Sequence, residues 1–486
     1  MIEVFVAVAL ISFAFIFFIL RRDSRGMKLP PGSLGLPIIG ESLSFLKAQR
    51  DDRGSEWINE RVALYGHVFK TSILGSPTAV IIGKEGNKFV FMDDEALDGN
   101  QPESSKKIFG KNSIFGLMGD RHKLVKGAMM SFLKPQNLQE YIGIMDDLVK
   151  TGLLAEMKEK DAIKIVPFMK DLMFNITCTL LFGLYDEHTK AALFEDFSEA
   201  MQASWSIPIN FPGTIFWRGV KARSRIVERM APIVRRRKEM LVAGTVRPKS
   251  DVISSMVALR DEKGESISDD EIMDNIISLV FASHDTTAIL LSLMVWKLAR
   301  DPKIHQKVLQ EHMEILKERQ TPEGKLTWRE VQKMNYTWRV AQELMRLIPP
   351  VFGSFRKAIK DTSFGGYDIP KGWQVLWVCP PTHMDKDIFE DPDEFDPSRF
   401  QNPSKPIPPF AYIPFGAGVH MCIGNEFARV ETLTIVHHMI TNFEWSQLIP
   451  DEPITRQPMP YPSMGLPIKI KARNPSDFIS DATRFS

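Results

Sequence analysis

The chain has 486 residues, of which 44% are hydrophobic and 25% charged, and it balances 61 basic against 60 acidic side chains. The resulting net charge of +1 argues against a global electrostatic match to nucleic acid. Three scattered cysteines, Cys178, Cys379 and Cys422, are too few for a disulfide framework, and such thiols are typical of a reducing, cytosolic environment. No linker, repeat or low-complexity tract divides the chain, so we predict one large domain.

The amino terminus carries an apolar run, residues 4–20, in which Ser12 is the only polar side chain. At 1.5 Å per residue the run spans roughly 25 Å, close to the roughly 27 Å of the endoplasmic reticulum membrane. A cleaved secretory signal is the alternative, but it requires positive charge before the run, where Glu3 stands, and a small-residue cleavage site after it. Arginines follow the run instead, at positions 21, 22 and 25. We therefore predict a single-pass anchor at residues 1–25 with the rest of the chain in the cytosol.

Residues 26–40 contain the prolines Pro30, Pro31 and Pro37. Proline fixes its own φ angle and disfavours helix at the preceding residue, so this segment is predicted to be a stiff hinge. The folded body then occupies residues 41–486. Its first clear pattern is a β-hairpin, with strands at 68–73 and 78–82 and the residues Gly75-Ser76-Pro77 between them.

Two segments in the middle of the chain have distinctive compositions. Residues 206–213 are apolar and rich in proline, which excludes a helix interior. Residues 235–238 are four consecutive basic side chains within a helical pattern. A solvated helix face is the simplest interpretation of this basic run, and a docking surface for an acidic partner is the alternative.

A long helix is predicted from Ser268 to about Arg300. Ser268 and Glu271 have the spacing of a capping box, and Asp301-Pro302 stops the helix. At about 30 residues and roughly 45 Å, it is long enough to cross a large domain. Its apolar residues occur on most faces after Ile276, which indicates a buried helix.

Within this helix, Asp285 and Thr286 place an acid beside a hydroxyl. Polar groups in a buried helix are costly unless they have a partner or a task. One interpretation is proton transfer at a site, and the alternative is a threonine hydroxyl that bonds back to the carbonyl four residues earlier.

Further along the chain, Glu343 and Arg346 lie one helical turn apart, and Arg399 follows in the segment Phe395-Asp396-Pro397-Ser398-Arg399-Phe400. By itself the spacing of Glu343 and Arg346 is a weak signal, since any helix can place a charged pair one turn apart. Glu426 and Arg429 have the same spacing and are predicted to form an ordinary helix-surface pair.

The most informative stretch runs from Phe415 to Gly424 and presents Cys422 on a glycine-flanked loop at the start of a helix. The glycines Gly416, Gly418 and Gly424 allow the backbone to approach a flat ligand closely. The free N–H groups and the positive dipole end of the following helix are expected to favour the Cys422 thiolate. The alternative for an isolated cysteine is a small apolar core residue.

These motifs, in this order along the chain, resemble those of the cytochrome P450 family. The resemblance implies that family's mainly α (α+β) fold, with a long central helix and small β-sheets, to which the anchor adds one transmembrane helix. It also implies haem b with Cys422 as the thiolate ligand of iron, an arrangement that promotes O–O cleavage. Asp285 and Thr286 would then manage protons during dioxygen activation. Ser283 departs from the glycine or alanine usual in the family and could narrow the groove or hold a water.

Residues 343–346 look like the family's Glu-x-x-Arg helix, and residues 395–400 resemble the segment that packs onto it. The resemblance therefore implies that Glu343, Arg346 and Arg399 satisfy one another in a buried network, because a lone buried charge is very costly.

The resemblance also assigns residues around the haem and the substrate. His122, Lys126, Arg356 and His420 would contact the haem propionates, although three of these positions hold residue types uncommon in the family. Phe415 would cover the sulfur. Residues 206–213 look like the loop that roofs the substrate channel and dips toward the membrane. The substrate would be lined by Phe281, Ala282, Val351, Phe352 and Met464.

Residues 349–358 and 208–214 look most like the plant clan that oxidises isoprenoids. The resemblance therefore implies a monooxygenase of the endoplasmic reticulum membrane that uses O2 and NADPH, through a separate flavoprotein reductase, on a rigid apolar terpenoid or sterol. Two alternatives remain open. One is a reductase-independent haem isomerase or dehydratase of the allene oxide synthase type, and the other is a haem-bearing membrane protein without turnover.

Overall fold

The structure is a computed structural model that describes residues 26–473, apart from 38, 158–159, 320–323, 402–405 and 457–458. The predicted anchor at residues 1–25 lies outside the described residues.

Helices dominate the described part of the chain. Short helices come first: α1 Ser42–Arg50, α2 Gly54–Tyr65, α3 Lys84–Met92 and α4 Glu103–Phe109. The main helical body follows, with α5 Gly119–Leu133, α6 Pro135–Met157, α7 Ile165–Ile176, α8 Glu187–Ser204, α9 Ile215–Val242, α10 Val252–Val257 and α11 Asp269–Arg300. The last helices are α12 Pro302–Lys317, α13 Trp328–Val331, α14 Asn335–Leu347, α15 Pro380–His383 and α16 Asn425–Asn442.

Strands form small sheets at the edge of this body. A five-stranded sheet has the order β1-β2-β8-β5-β3 and contains β1 Val68–Ile73, β2 Ser76–Ile81, β3 Leu97–Gly99, β5 Gly353–Ala358 and β8 Gln374–Val378. A three-stranded sheet of order β4-β12-β9 contains β4 Ala162–Lys164, β9 Phe443–Gln447 and β12 Pro467–Ala472. Two ribbons complete the set, β6 Thr362–Phe364 with β7 Tyr367–Ile369, and β10 Ile454–Arg456 with β11 Pro460–Pro462.

The predicted hairpin is present, but its turn is shorter than predicted. Leu74 and Gly75 form the turn with φ of +55° and +77°, and Ser76 already pairs with Ile73. Two successive residues with positive φ are typical of the tight hairpin turns whose twist matches that of the strands. Pro77 lies within β2, opposite Ser72 of the edge strand β1.

The long helix α11 confirms the prediction in length and position. The Ser268 hydroxyl accepts a hydrogen bond from the Glu271 N–H, and the helix ends at Arg300 before Asp301. The second half of the capping box is not formed, because the Glu271 carboxylate binds Arg121 at 2.8 and 2.5 Å instead. Within the described residues α11 is the one helix long and apolar enough to cross a membrane, yet most of it is buried in the protein core.

The proline-rich segment is attached to the body. Pro31 accepts a hydrogen bond of 2.7 Å from the Lys70 N–H, and Gly32 bridges to Lys70 on β1. A Cβ at Gly32 would lie 2.2 Å from the Lys70 carbonyl oxygen, so glycine is required there. This part of the predicted hinge therefore extends the edge of the sheet.

The basic run at residues 235–238 is not a uniformly solvated face. Arg237 is buried in α9, where it binds the Asp251 carboxylate and donates to the Ser254 hydroxyl at 2.8 Å. Lys238 pairs with Asp269 at the start of α11. Arg237 therefore stabilises the packing of α9, whereas Arg235, Arg236 and the ion pair of Lys238 lie at the surface.

Candidate functional site

The loop from Phe415 to Gly424 is closed by a hydrogen bond of 2.9 Å from the Cys422 N–H to the Phe415 carbonyl. Gly416 and Gly418 have φ of +69° and +64°, the left-handed region that favours glycine. A Cβ on Gly418 would lie 2.2 Å from the carbonyl oxygen of Phe91 near the end of α3. Glycine at 418 therefore allows the loop to pack directly on α3.

The Cys422 sulfur lies at the start of α16. The N–H of Gly424, the N-cap residue of α16, donates to this sulfur, as the sequence predicts. Cys422 is accessible to solvent, whereas Cys178 and Cys379 are buried. Of the cysteines in the chain, Cys422 is thus the one whose sulfur a ligand can reach.

Neighbouring protein atoms reduce the solvation of the Cys422 thiolate and raise the pKa of the thiol, while the Gly424 N–H and the nearby Lys126 ammonium act in the opposite direction, the one expected from the sequence. A metal cation bound to this sulfur would add the positive charge that favours the thiolate, because a coordinating thiol is deprotonated.

Positive and hydrogen-bonding side chains gather beside this loop. The His122 and His420 rings are 4.4 Å apart, and the Lys126 ammonium donates to the carbonyls of Val419 and, at 3.1 Å, Met421. Arg356 is buried on β5, and no described residue forms a hydrogen bond or ion pair with its guanidinium. The structure therefore brings together all four side chains that the sequence assigned to the propionates.

This cluster fits a ligand that carries carboxylates. Burial and the neighbouring charges of Arg356, His122 and Lys126 lower the pKa of His420 to about 3. Burial, Lys126 and Arg356 also lower the pKa of His122. Both imidazoles are therefore neutral donors at physiological pH, while Arg356 and Lys126 provide the charge. The carboxylates of Asp94 and Asp98 act on Arg356 only from beyond ion-pair distance, so its guanidinium can still bind an anion. Such a guanidinium, next to an accessible sulfur and a glycine cradle, matches the groups that haem requires.

The predicted network of Glu343, Arg346 and Arg399 is confirmed in its geometry. The Glu343 carboxylate accepts hydrogen bonds of 2.7 and 2.8 Å from Arg346 and one of 3.3 Å from Arg399. The side chains of Glu343 and Arg346 are completely buried. Arg346 also donates at 3.0 Å to the His383 carbonyl, which ties α14 to α15. Glu426 and Arg429 form the predicted local pair on α16, at 2.8 Å.

On α11, Asp285 and Thr286 have different surroundings. The Thr286 hydroxyl donates at 2.6 Å to the Ala282 carbonyl four residues earlier. The Asp285 carboxylate lies 2.9 Å from the Lys170 ammonium and 3.1 Å from Nδ1 of His284, both measured to Oδ1. Burial opposes ionisation of Asp285, but these two partners outweigh it and lower the pKa of the carboxyl.

Ser283 turns its hydroxyl to a neighbouring helix. It donates at 2.9 Å to the Leu279 carbonyl and shares a hydrogen bond of 3.0 Å with Thr177. Thr177 begins a π-helical segment, Thr177–Leu181, that continues α7. The hydroxyl is therefore engaged in packing between α11 and this segment.

The predicted substrate-lining residues differ in their surroundings. Phe281 belongs to an aromatic cluster, with its ring 4.5 Å from Phe109 and 6.5 Å from Trp205, and Ala282 follows it on α11. Phe352 packs on the core beside the five-stranded sheet, under the Arg456 guanidinium at 5.6 Å. Val351 and Met464 are exposed.

Sequence reasoning missed three polar residues near this region, Lys170, His284 and Glu431. The first two bind Asp285 from α7 and from α11 itself. Glu431 on α16 is fully buried beside Thr287, and burial raises its pKa well above the ordinary value. His284 directly precedes Asp285 in the sequence, which could have drawn attention to it, whereas Glu431 lies among the polar residues Arg429, Thr432 and Thr434 and does not stand out. Lys170 has no such signal in the sequence.

Comparison with known proteins agrees with this geometry. The cytochrome P450 family model matches residues 30–471. The chain is 37% identical to taxane 13-alpha-hydroxylase of Taxus cuspidata, with 97% of both chains covered. It is 36% identical to beta-amyrin 28-monooxygenase of Kalopanax septemlobus, with 97% of this chain and 98% of the relative covered. The solved structure of retinoic acid-bound cyanobacterial CYP120A1 superposes with a TM-score of 0.82 and 31% identity, covering 92% of this chain and 100% of the other.

Proposed function

Because the chain belongs to the cytochrome P450 family, we propose that it inserts one oxygen atom into a polycyclic terpenoid, with Cys422 as the haem ligand. It is a P450 monooxygenase that carries haem and uses O2, and its relatives act on isoprenoids. The observation that carries the proposal is the accessible Cys422 sulfur on its glycine loop, beside a buried guanidinium that has no partner among the described residues.

When bound, the haem supplies the oxidising chemistry. The loop residues Phe415, Gly416, Gly418 and Gly424 hold the ligating sulfur in place. His122, Lys126, Arg356 and His420 would bind the two propionates, with the neutral imidazoles as hydrogen-bond donors. The Glu343 network fixes α14 and α15 beneath the sheet that carries Arg356, so it positions the site without touching the ligand.

Asp285 and Thr286 are proposed to deliver protons to the reaction. Asp285 is ionised at neutral pH and is partly accessible, as is its partner Lys170, so it can exchange protons with solvent. The Thr286 hydroxyl is held by the Ala282 carbonyl and keeps two lone pairs free to accept a hydrogen bond. Proton transfer by a positioned group contributes typically about 10²–10⁴-fold to a rate.

The substrate is proposed to be a triterpene of the beta-amyrin type or a taxane-type diterpene. Such rigid hydrocarbons suit the aromatic cluster of Phe109, Phe281 and Trp205 better than a charged substrate would. Electrons would come from NADPH through a separate flavoprotein reductase. The protein would lie on the endoplasmic reticulum membrane, anchored by residues 1–25, with the exposed apolar side chains of Ile207 and Phe211 toward the lipid.

The test is co-expression with a plant flavoprotein reductase in yeast that makes either beta-amyrin or taxadiene. The expected result is a product heavier by one oxygen atom in one strain, absent when Cys422→Ala replaces the wild type. A product without an added oxygen atom, formed equally well without the reductase, would favour the isomerase or dehydratase alternative. Haem incorporation without any product or NADPH consumption, across both strains, would favour the non-catalytic haem protein.

A further inference from the structure

The carboxylate of Asp285 is approached by two donors of different character. The Lys170 ammonium comes from α7, and its side chain is 32% exposed. Nδ1 of His284 comes from the same helix as Asp285, and its side chain is only 4% exposed. Both donors lie near the same oxygen, Oδ1, at ion-pair distance rather than in the geometry of a full hydrogen bond.

The His284 ring is fixed in place by aromatic side chains. Phe174 of α7 and Phe194 of α8 meet it edge to face, with centroids 6.0 and 5.8 Å away. Nε2 of His284 is buried and has no hydrogen-bond partner among the described residues. A ring that donates from Nδ1 to Asp285 and keeps Nε2 as an acceptor avoids an unpaired buried N–H, which would be costly.

The two donors can therefore do different things. Lys170 is partly exposed and has a flexible side chain, so its ammonium easily exchanges the Asp285 carboxylate for water. The His284 ring is enclosed by Phe174 and Phe194, so it remains beside Asp285 when the Lys170 ammonium turns to solvent. A carboxylate that relays protons needs both properties, because it must meet water on one side and keep its orientation on the other.

We propose that His284 is a positioning residue for proton delivery, which holds the Asp285 carboxylate on α11 while Lys170 opens its path to solvent. The inference rests on the proposed role of Asp285. It predicts that the loss of the His284 donor slows turnover in the same direction as the loss of Asp285 itself.

The test compares His284→Phe with His284→Asn. The first variant keeps an aromatic ring between Phe174 and Phe194 but removes the donor, and the second keeps a donor. A polar contact that falls short of full hydrogen-bond geometry is worth at most about a tenfold factor, so His284→Phe should lower kcat by up to about tenfold with KM for substrate unchanged. The solvent isotope effect on kcat should rise. His284→Asn should restore most of the rate, which a purely structural role of the ring would not produce. If His284→Phe does not fold, His284→Leu makes the same comparison.

A measurement independent of turnover is a double-mutant cycle on the holoenzyme. The Tm shifts of His284→Phe and Asp285→Asn should be non-additive, because the double variant loses a single shared interaction. Additive shifts, together with wild-type kcat in His284→Phe, would overturn the inference. A normal kcat in Asp285→Asn would instead overturn the proposed role of Asp285, so the two failures are distinguishable.

Discussion

Cys422 differs from the other two cysteines because a ligand can reach its sulfur. Burial raises the pKa of Cys178 to about 12 and that of Cys379 further, and neither lies in a loop that a ligand can enter. Cys422 has the Gly424 N–H and the Lys126 ammonium beside it. A single helix-terminal N–H and one cation do not ionise it alone, so its chemistry depends on the metal.

Cys422→Ser should therefore abolish the red-shifted absorption of the reduced carbon monoxide complex. Serine is nearly isosteric and keeps the loop closed, because the hydrogen bond to Phe415 comes from the backbone. The measurement is the reduced CO difference spectrum of purified protein. Cys379→Ser is the matched control and should keep the band. A band retained in Cys422→Ser would refute the ligand assignment.

Thr286→Ala should separate electron consumption from product formation. Alanine has the higher helix propensity and the deleted group is small, so α11 and haem content should survive. The hydroxyl that the Ala282 carbonyl holds is lost, and protons would be delivered less selectively. Product per NADPH should fall several-fold, with hydrogen peroxide making up the difference, while total NADPH oxidation changes less.

The contrasting variant is Asp285→Asn, which should slow both product formation and NADPH oxidation, because it removes the group that relays protons from solvent. Unchanged coupling in Thr286→Ala would mean that another hydroxyl performs the role. Ser283 is a poor candidate for it, since its hydroxyl is engaged with Leu279 and Thr177.

At the level of elements, the buried carboxyl group of Glu431 lies between α11 and α16. Glu431 of α16 lies beside Thr287 of α11, and no described residue forms a hydrogen bond of full geometry with either carboxylate oxygen. Burial raises the pKa of Glu431 well above its ordinary value, so folding favours the neutral form of this carboxyl. A group whose pKa is raised on folding stabilises the fold fully below its unfolded pKa and loses that contribution as pH rises.

Glu431→Gln should accordingly become more stabilising as pH increases. The amide has the same shape as the neutral acid and cannot ionise in the unfolded chain. Each pKa unit by which folding raises the acid corresponds to about 1.4 kcal/mol at high pH. The measurement is Tm at pH 5 and pH 8, where the variant should gain over the wild type mainly at pH 8. An equal difference at both values would show that Glu431 is ionised in the folded protein.

Local patterns predicted the elements that local chemistry determines. Ser268 and Asp301-Pro302 mark the ends of α11, and the glycines around Cys422 mark its loop, because caps and left-handed turns depend on neighbouring residues. Several contacts between distant segments escaped prediction, whereas that of Glu343 with Arg399 followed from the family resemblance. Lys170 reaches Asp285 across 115 positions of sequence, and the burial of Arg237 depends on Asp251 in the next helix. Neither partner follows from spacing or periodicity.

On the scale of the whole molecule, the folded body is built downstream of the predicted anchor. The first attachments to the sheet come from Pro31 and Gly32, which join β1 through Lys70. Deletion of residues 1–25 leaves these contacts intact. The loop between α8 and α9 adds a second apolar surface, where Ile207 and Phe211 are 75% and 67% exposed.

Deletion of residues 1–25 should therefore release the protein into the soluble fraction without loss of haem, yet leave weak affinity for lipid. Burial of a side chain such as Ile207 or Phe211 is worth about 2 kcal/mol, which corresponds to roughly a 30-fold change in partition. Sedimentation with liposomes should show residual binding of the truncated protein, and Ile207→Ser with Phe211→Ser should remove it. Lys249→Ser, at another exposed loop, is the control and should bind as the truncated parent does. Loss of haem on truncation would show that residues 1–25 belong to the fold, and binding unchanged by the two serines would place the lipid surface elsewhere.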